Sequence, residues 1–217
     1  MKRRLTVKKA VIFDLDGTLW DSSGCIYQIW NIVFGRHEEI TFRVVQKDIG
    51  QYMGKTTDEI GAMLFPGQSV EFQKQILAEC CREEDVFLRE HGAVLYDGLE
   101  ETLGALKEKY ELFIVSNCQD GYIDAFLYAH KLGDYFTDIE MSGRTGKSKG
   151  ENIALIIERN NIEKSVYIGD TEGDEKASRY AGIPFIYAEY GFGKAATPDA
   201  VIHRLGDLPD TAAKFLD

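Results

Sequence analysis

The sequence has 217 residues, 44% of them hydrophobic, which is enough for one medium-sized domain or two small ones. Its 25 Lys and Arg stand against 36 Asp and Glu, a formal net charge of −11, and this acidic excess argues against nucleic acid or an anionic membrane as a partner. No apolar run is as long as a signal-peptide core or a membrane helix, and the four Cys lack zinc-ligand or secreted-framework spacing. We therefore expect a cytoplasmic protein with free thiols, and we interpret the basic positions within residues 2–9 as a solvated terminus.

The first predicted element is a strand that ends in two acids. The apolar residues 11–13 run directly into Asp14 and Asp16, followed by Gly17. Continuous apolar runs are typical of buried parallel strands, and ligands bind just past the carboxyl ends of such strands. Positions two apart project to the same side, so both carboxylates could reach one ligand. A calcium loop is excluded because position 25 is Cys rather than Glu, which leaves an ordinary strand-to-loop turn as the alternative.

Residues 20–90 lack strand-like runs and are predicted to be helical. Thr56 and Glu59 form a capping-box pattern, which marks the start of one of these helices. A helical insertion directly after the first acids would lie over the strand ends, where it could close on a substrate and exclude water. The apolar positions at helical spacing are Ile26, Ile29, Trp30, Val33 and Phe34, and, within a stretch from Ser69 to about His91, Ile76, Leu77, Cys80 and Cys81.

Two later apolar runs also end in polar residues suited to phosphate chemistry. Residues 112–115 precede Ser116 and Asn117, and residues 165–168 precede Gly169, Asp170 and, four positions further, Asp174. Strands separated by helical patterns predict a parallel sheet, whose carboxyl edge would gather these groups.

A lysine between these two runs could join the same anionic site, and both Lys147 and Lys149 are candidates. The segment Gly146-Lys147-Ser148 resembles the end of a P-loop, but the required earlier glycine is Met141. We therefore interpret this segment as a polar loop leading into a helix at about residues 151–160.

Together these motifs resemble the haloacid dehalogenase superfamily, and within it the phosphoglycolate phosphatase-like group with a helical cap. The resemblance covers nearly the whole chain and implies an α/β fold: a Rossmann-like parallel-sheet core of residues 1–19 and 91–217, with a helical cap inserted at residues 20–90. It favours Lys149 over Lys147, although Lys149-Gly150 departs from the common Lys-Pro. The matching segments are Phe13-Asp14-Leu15-Asp16-Gly17-Thr18-Leu19, Ser116-Asn117, Lys149, and Gly169-Asp170 with Asp174.

The resemblance implies a Mg²⁺-dependent phosphatase that hydrolyses a small phosphate monoester, phosphoglycolate-like or a sugar phosphate. Asp14 would form an aspartyl-phosphate, and Asp16 would act as general acid and base. Metal ligands would be the Asp14 and Asp170 carboxylates and the Asp16 main-chain carbonyl, with Asp174 behind them. The residues implied to hold the phosphoryl group are Ser116, Asn117 and Lys149.

Substrate choice is expected to lie in the cap, where Lys55 either contacts the leaving group or is an ordinary solvated lysine. The alternatives are a phosphomutase of the β-phosphoglucomutase type and a non-catalytic phosphate-ligand binding protein. His37 is distant in sequence from Lys55, which argues against the mutase, and the retained acids argue against the binding protein. The expected partner is a small phosphorylated metabolite, with neither nucleic acid nor membrane, and the protein would be a monomer or a homodimer.

Overall fold

The computed structural model describes residues 7–217. The strands are β1 Lys9–Phe13, β2 Trp20–Asp21, β3 Val94–Leu95, β4 Glu111–Ser116, β5 Phe136–Met141, β6 Lys164–Gly169, β7 Phe185–Ala188 and β8 Ala200–Ile202. The helices are α1 Ser23–Phe34, α2 Gln46–Ile49, α3 Thr57–Leu64, α4 Val70–His91, α5 Leu99–Lys107, α6 Tyr122–His130, α7 Ser142–Thr145, α8 Lys149–Arg159, α9 Glu172–Ala181 and α10 Leu208–Leu216. None of the helices in this range is long and apolar enough to cross a bilayer.

Six of these strands form one parallel sheet in the order β5-β4-β1-β6-β7-β8. Strand β1 lies between β4 and β6, and its Phe13 is paired in register with Ile114 and with Ile168. The predicted α/β fold with a Rossmann-like parallel sheet is confirmed. Its consequence for function is that the ends of β4, β1 and β6 are neighbours along one edge.

The sheet is covered on both faces, which explains the continuous apolar run of β1. Val11 and Phe13 belong to one hydrophobic cluster, and Ala10 and Ile12 belong to another. Helices α8 and α9 contribute to the second cluster, whereas α5 and α10 contribute to the first. Because these four of the five β1 side chains are completely buried, the strand that carries Asp14 is fixed from both sides.

Helices α1 to α4 lie in the chain between two short strands, β2 and β3, which pair antiparallel outside the main sheet. Trp20 is opposite Leu95 in this pair. The prediction that residues 20–90 contain no strand is therefore wrong at positions 20 and 21, because a two-residue strand is too short to show a periodicity. The predicted capping box is confirmed, since the Thr56 main-chain N–H donates to Glu59 Oε2 (2.8 Å) and the Thr56 hydroxyl accepts from the Glu59 N–H.

The predicted helix near residues 151–160 begins two residues earlier, at Lys149, with Ser148 as its N-cap. At the start of the chain, positions 2–6 of the basic segment lie outside the described residues. Lys8 and Lys9, at its end, form ion pairs with Glu111 and Asp217. These two lysines therefore contribute to the surface of the folded domain.

Candidate active site

Three adjacent strand ends bring the predicted acids and the serine together. Asp14 follows β1, Ser116 is the last residue of β4, and Asp170 follows β6. All three are buried, at 0%, 3% and 0% exposure. The Asp14 main-chain N–H donates to the Ile168 carbonyl at 2.8 Å, which continues the sheet to the first acid and fixes its backbone. The sheet edge therefore places two carboxylates and a hydroxyl in one buried region.

Lys149 supplies the buried positive charge of this region. Lys149 is the first residue of α8, and its ammonium lies 3.0 Å from Asp14 Oδ1 and 2.6 Å from Asp174 Oδ1. Burial alone would lower the pKa of Lys149, but the two carboxylates raise it above its usual value, so the side chain stays charged. Lys147 is exposed. Of the two lysines that the sequence offered, the structure brings only Lys149 to the acids.

Asp14, Asp170 and Asp174 form a buried cluster in which one oxygen of each lies within 4.8 Å of the others. Within residues 7–217, Asp14 Oδ2 and Asp170 Oδ1 have no hydrogen-bond partner. The Asp174 oxygens are occupied, since Oδ1 accepts from Lys149 and Oδ2 accepts from the Thr171 N–H (2.9 Å) and hydroxyl (2.6 Å). Buried carboxylate oxygens without partners fit a hard divalent cation, so Asp14 and Asp170 fit as metal ligands. Asp174, whose oxygens are occupied, would not bind the metal directly.

In the metal-free protein, burial raises the pKa values of Asp14 and Asp170. Burial raises the pKa of Asp14 to about 7, although Lys149 opposes the rise, and burial with the charges of Asp174 and Asp14 raises the pKa of Asp170 well above its usual value. A bound divalent cation would favour the ionised form of both groups.

The Asp170 side chain is fixed by two main-chain N–H groups and is closely packed against two glycines. The main-chain N–H groups of Phe192 and Gly193 donate to its Oδ2 at 2.6 and 3.2 Å. A Cβ atom at Gly191 would lie 2.2 Å from the Asp170 Cβ, and one at Gly17, where φ is +80°, would lie 2.3 Å from Asp170 Oδ2. Both positions therefore require glycine, because any side chain would displace the carboxylate.

Asp16 is oriented by three donors that all reach its Oδ1. These are the Trp20 indole N–H (2.8 Å), the Ser22 hydroxyl (2.6 Å) and the Tyr122 hydroxyl (3.0 Å). Oδ2 has no hydrogen bond to a described residue, so it is available for proton transfer. Burial raises the pKa of Asp16, an effect that these donors oppose. The Asp16 main-chain carbonyl likewise accepts no hydrogen bond from the part of the chain described, which leaves it free to bind a metal.

A cavity of about 50 Å³ lies between the strand ends and the helical segment. Lys55, which is half-buried, lines it together with Asp16 and Ser116. Asn117 lines it as well and bridges the two parts, because its amide donates to the Gly54 carbonyl (2.8 Å) while its Oδ1 accepts from Ser142 (2.8 Å). The cavity is lined by Asp16, Ile26, Trp30, Tyr52, Met53, Gly54, Lys55, Thr57, Ile60, Glu84, Ser116, Asn117, Cys118, Gln119 and Tyr122.

Glu84 is one of the cavity-lining residues that sequence reasoning missed. It lies on α4, is 5% exposed, and accepts from the Trp30 indole (2.5 Å) and the Gln119 amide (2.9 Å). Burial raises its pKa to about 7. A signal for it existed, since the apolar α4 stripe through Leu77 and Cys80 continues to Leu88 with an acid at position 84. An acid inside such a stripe indicates a buried polar contact.

Comparison with known proteins decides the family. A sequence model described as haloacid dehalogenase-like hydrolase matches residues 11–188, which include every acid of the site. The chain belongs to this family. The resemblance that the motifs indicated is thus confirmed, and the protein is an enzyme of the hydrolase class.

Individual relatives agree with this assignment. The phosphoglycolate phosphatase of Vibrio vulnificus strain YJ016 is 27% identical over 219 residues, covering 93% of this chain and 95% of the relative. A haloacid dehalogenase-like hydrolase from Bacteroides fragilis superposes with a TM-score of 0.82 at 27% identity, covering 93% of this chain and 99% of that one. A predicted phosphoglycolate phosphatase from Haemophilus somnus superposes with a TM-score of 0.83 at 18% identity, covering 95% and 99%, which shows the shared fold.

Proposed function

We propose that this hydrolase is a Mg²⁺-dependent phosphatase that cleaves a small phosphate monoester through an aspartyl-phosphate on Asp14. The observation that carries the proposal is the pair of buried carboxylate oxygens without partners, on Asp14 and Asp170, beside the buried Lys149 ammonium. This combination of two free anionic ligands and one fixed cation suits a metal and a phosphoryl group bound together. The names of the relatives, phosphoglycolate phosphatases, support the same class of reaction.

The chain's own residues would divide the reaction into two displacements. The Asp14 carboxylate attacks phosphorus, the ester P–O bond breaks, and Asp16 gives its proton to the departing alkoxide. Asp16 then takes a proton from water, whose oxygen attacks phosphorus, and Asp14 and inorganic phosphate are released. Mg²⁺, held by the Asp14 and Asp170 carboxylates and the Asp16 main-chain carbonyl, would neutralise charge on the phosphoryl oxygens.

Ser116, Asn117 and Lys149 would hold the phosphoryl oxygens. Ser116 and Asn117 line the cavity from the end of β4, and Lys149 already contacts Asp14. We further propose that residues 20–90 form a cap on a core of residues 1–19 and 91–217. The contact of Asn117 with Gly54 supports closure of this cap over the strand ends, where Lys55 lines the leaving-group side.

A phosphatase fits the cavity better than a phosphomutase. None of the cavity-lining residues in the described range is a histidine, and the ring of His37 is bonded to Glu79 at 2.8 Å. Transfer of the phosphoryl group to water needs only Asp14 and Asp16, which the site provides. We expect the small phosphorylated substrate to be phosphoglycolate-like or a sugar phosphate.

The proposal is tested by steady-state hydrolysis of p-nitrophenyl phosphate. Wild type should require Mg²⁺, and Asp14→Asn should lose turnover completely because no nucleophile remains. Asp210→Asn, at an exposed position of α10, is the matched control and should retain wild-type turnover. Turnover by Asp14→Asn would contradict the proposal. So would wild-type enzyme that, after chelation, has the same turnover whether or not Mg²⁺ is added back.

A further inference from the structure

Glu84 brings a buried carboxyl group to the cavity. It lies on α4, whereas Asp14 and Ser116 lie at strand ends, and it lines the cavity together with Asp16. Asp16 is the group that protonates the leaving alcohol in the proposed function. Glu84 belongs to residues 20–90, as does Lys55, and the proposed function places the leaving group on the side of the cavity that these residues line.

The Glu84 carboxylate is fixed, and it faces the cavity as a hydrogen-bond acceptor. Oε1 accepts from the Trp30 indole at 2.5 Å and Oε2 accepts from the Gln119 amide at 2.9 Å. Each carboxylate oxygen has a second lone pair, so each can accept one further hydrogen bond from a bound molecule. Because an acid on the buried stripe of α4 costs folding free energy, a role in ligand recognition gives a reason for its presence.

The charges around the cavity favour a leaving group that carries hydroxyl groups over one that carries a carboxylate. Glu84 forms no ion pair within residues 7–217, and Lys55 is the one basic side chain among the lining residues. Above pH 7, where Glu84 is ionised, a carboxylate on the leaving group would meet its charge with only Lys55 to balance it, because Asp16 still carries the proton that it donates. A hydroxyl group could donate to Glu84 without that repulsion.

We propose that Glu84 is a specificity-determining residue, which selects phosphate monoesters of small polyhydroxy alcohols over esters of hydroxy acids. The inference rests on the proposed phosphatase function and narrows its substrate class.

The test compares kcat/KM for three esters at about pH 8.5, where Glu84 is ionised, with Mg²⁺ present: glycerol 3-phosphate, phosphoglycolate and p-nitrophenyl phosphate. Wild type should prefer glycerol phosphate to phosphoglycolate by at least about tenfold, since like charges in contact are strongly disfavoured. Glu84→Gln keeps the shape but removes the charge, so the ratio of kcat/KM for glycerol 3-phosphate to kcat/KM for phosphoglycolate should fall about tenfold.

Asp85→Asn is the matched control. Asp85 also accepts from the Gln119 amide, at 3.2 Å, but it lines a neighbouring groove and not the cavity. This variant should keep the wild-type preference. An equal change in both variants would assign the effect to Gln119 and overturn the proposal.

The wild-type enzyme provides a test that does not depend on folding of a variant. A wild-type preference for phosphoglycolate over glycerol phosphate overturns the inference about Glu84, as does an unchanged preference in Glu84→Gln. Turnover of p-nitrophenyl phosphate reports the proposed function separately. Its absence from wild type would refute both proposals, whereas its presence with the wrong preference would refute only the role of Glu84.

Discussion

Replacing Lys149 by Met removes the cation that contacts Asp14 and Asp174, two of the buried acids of the site. Its ammonium lies 3.0 Å from Asp14 and 2.6 Å from Asp174, and the lysine side chain is 4% exposed. Methionine fills a similar volume without charge, so the variant leaves two buried carboxylates facing each other. The free energy of unfolding should fall by about 3–5 kcal/mol, the usual cost of breaking a buried ion pair from one side.

The loss should depend on pH, and its sign follows from Asp14. In the metal-free protein, burial raises the pKa of Asp14 from 3.8 to about 7. The folded state therefore binds a proton that the unfolded state has released, and this group's contribution to stability falls as pH rises from about 4 to about 7. Without Lys149 the Asp14 pKa rises further. The stability difference between variant and wild type should therefore be larger near pH 8 than near pH 5.

Urea unfolding with EDTA present, followed by circular dichroism at both pH values, measures this difference. Lys147→Met is the control, because Lys147 is exposed two positions earlier and should change stability by less than about 0.5 kcal/mol. Equal stability of the two variants, or a larger deficit near pH 5 than near pH 8, would refute the ion-pair reasoning.

Three further outcomes are expected. Mg²⁺ should raise the melting temperature of wild type but not that of Asp170→Asn. Thermal denaturation with and without the ion measures this, and equal shifts in melting temperature would contradict the metal assignment. Gly191→Ala should destabilise the protein by at least about 2 kcal/mol because its Cβ would lie 2.2 Å from Asp170, whereas Gly104→Ala, with open space at its Cβ, should be neutral or stabilising; chemical unfolding compares them. Lys55→Ala should lower kcat/KM for the preferred small phosphate monoester more than kcat/KM for p-nitrophenyl phosphate. Equal losses for the two esters would show that Lys55 has no selective role.

The central strands were predictable because they are buried on both faces. Their apolar runs end abruptly in Asp14, Ser116 and Asp170, so the run and its polar end mark the sheet edge. The edge strands were not predictable in this way. β5, Phe136–Met141, mixes acids with apolar residues, and β8, Ala200–Ile202, is only three residues long. Neither gives a periodic signal of useful length.

The partners of the site residues were beyond the reach of sequence patterns. Tyr122 contacts Asp16 from 106 positions away, and Gln119 reaches Glu84 across 35 positions. Such contacts arise from tertiary packing, which no local spacing encodes. The choice of Lys149 over Lys147 came from resemblance, and the geometry supplies its physical reason: the first turn of α8 directs only Lys149 to the acids.

The identity of the nucleophile is tested most directly by trapping the phosphoenzyme. Asp16→Asn retains Asp14 but lacks the proton carrier, which is worth about 10²- to 10⁴-fold in a step that needs it. p-Nitrophenol is a good leaving group, so this variant should still be phosphorylated by the aryl ester with Mg²⁺, while hydrolysis of the adduct slows. Rapid quench in acid followed by peptide mass spectrometry should show a hydroxylamine-sensitive phosphoryl group on Asp14. A phosphoryl group on Ser116 or Cys118 would contradict the account.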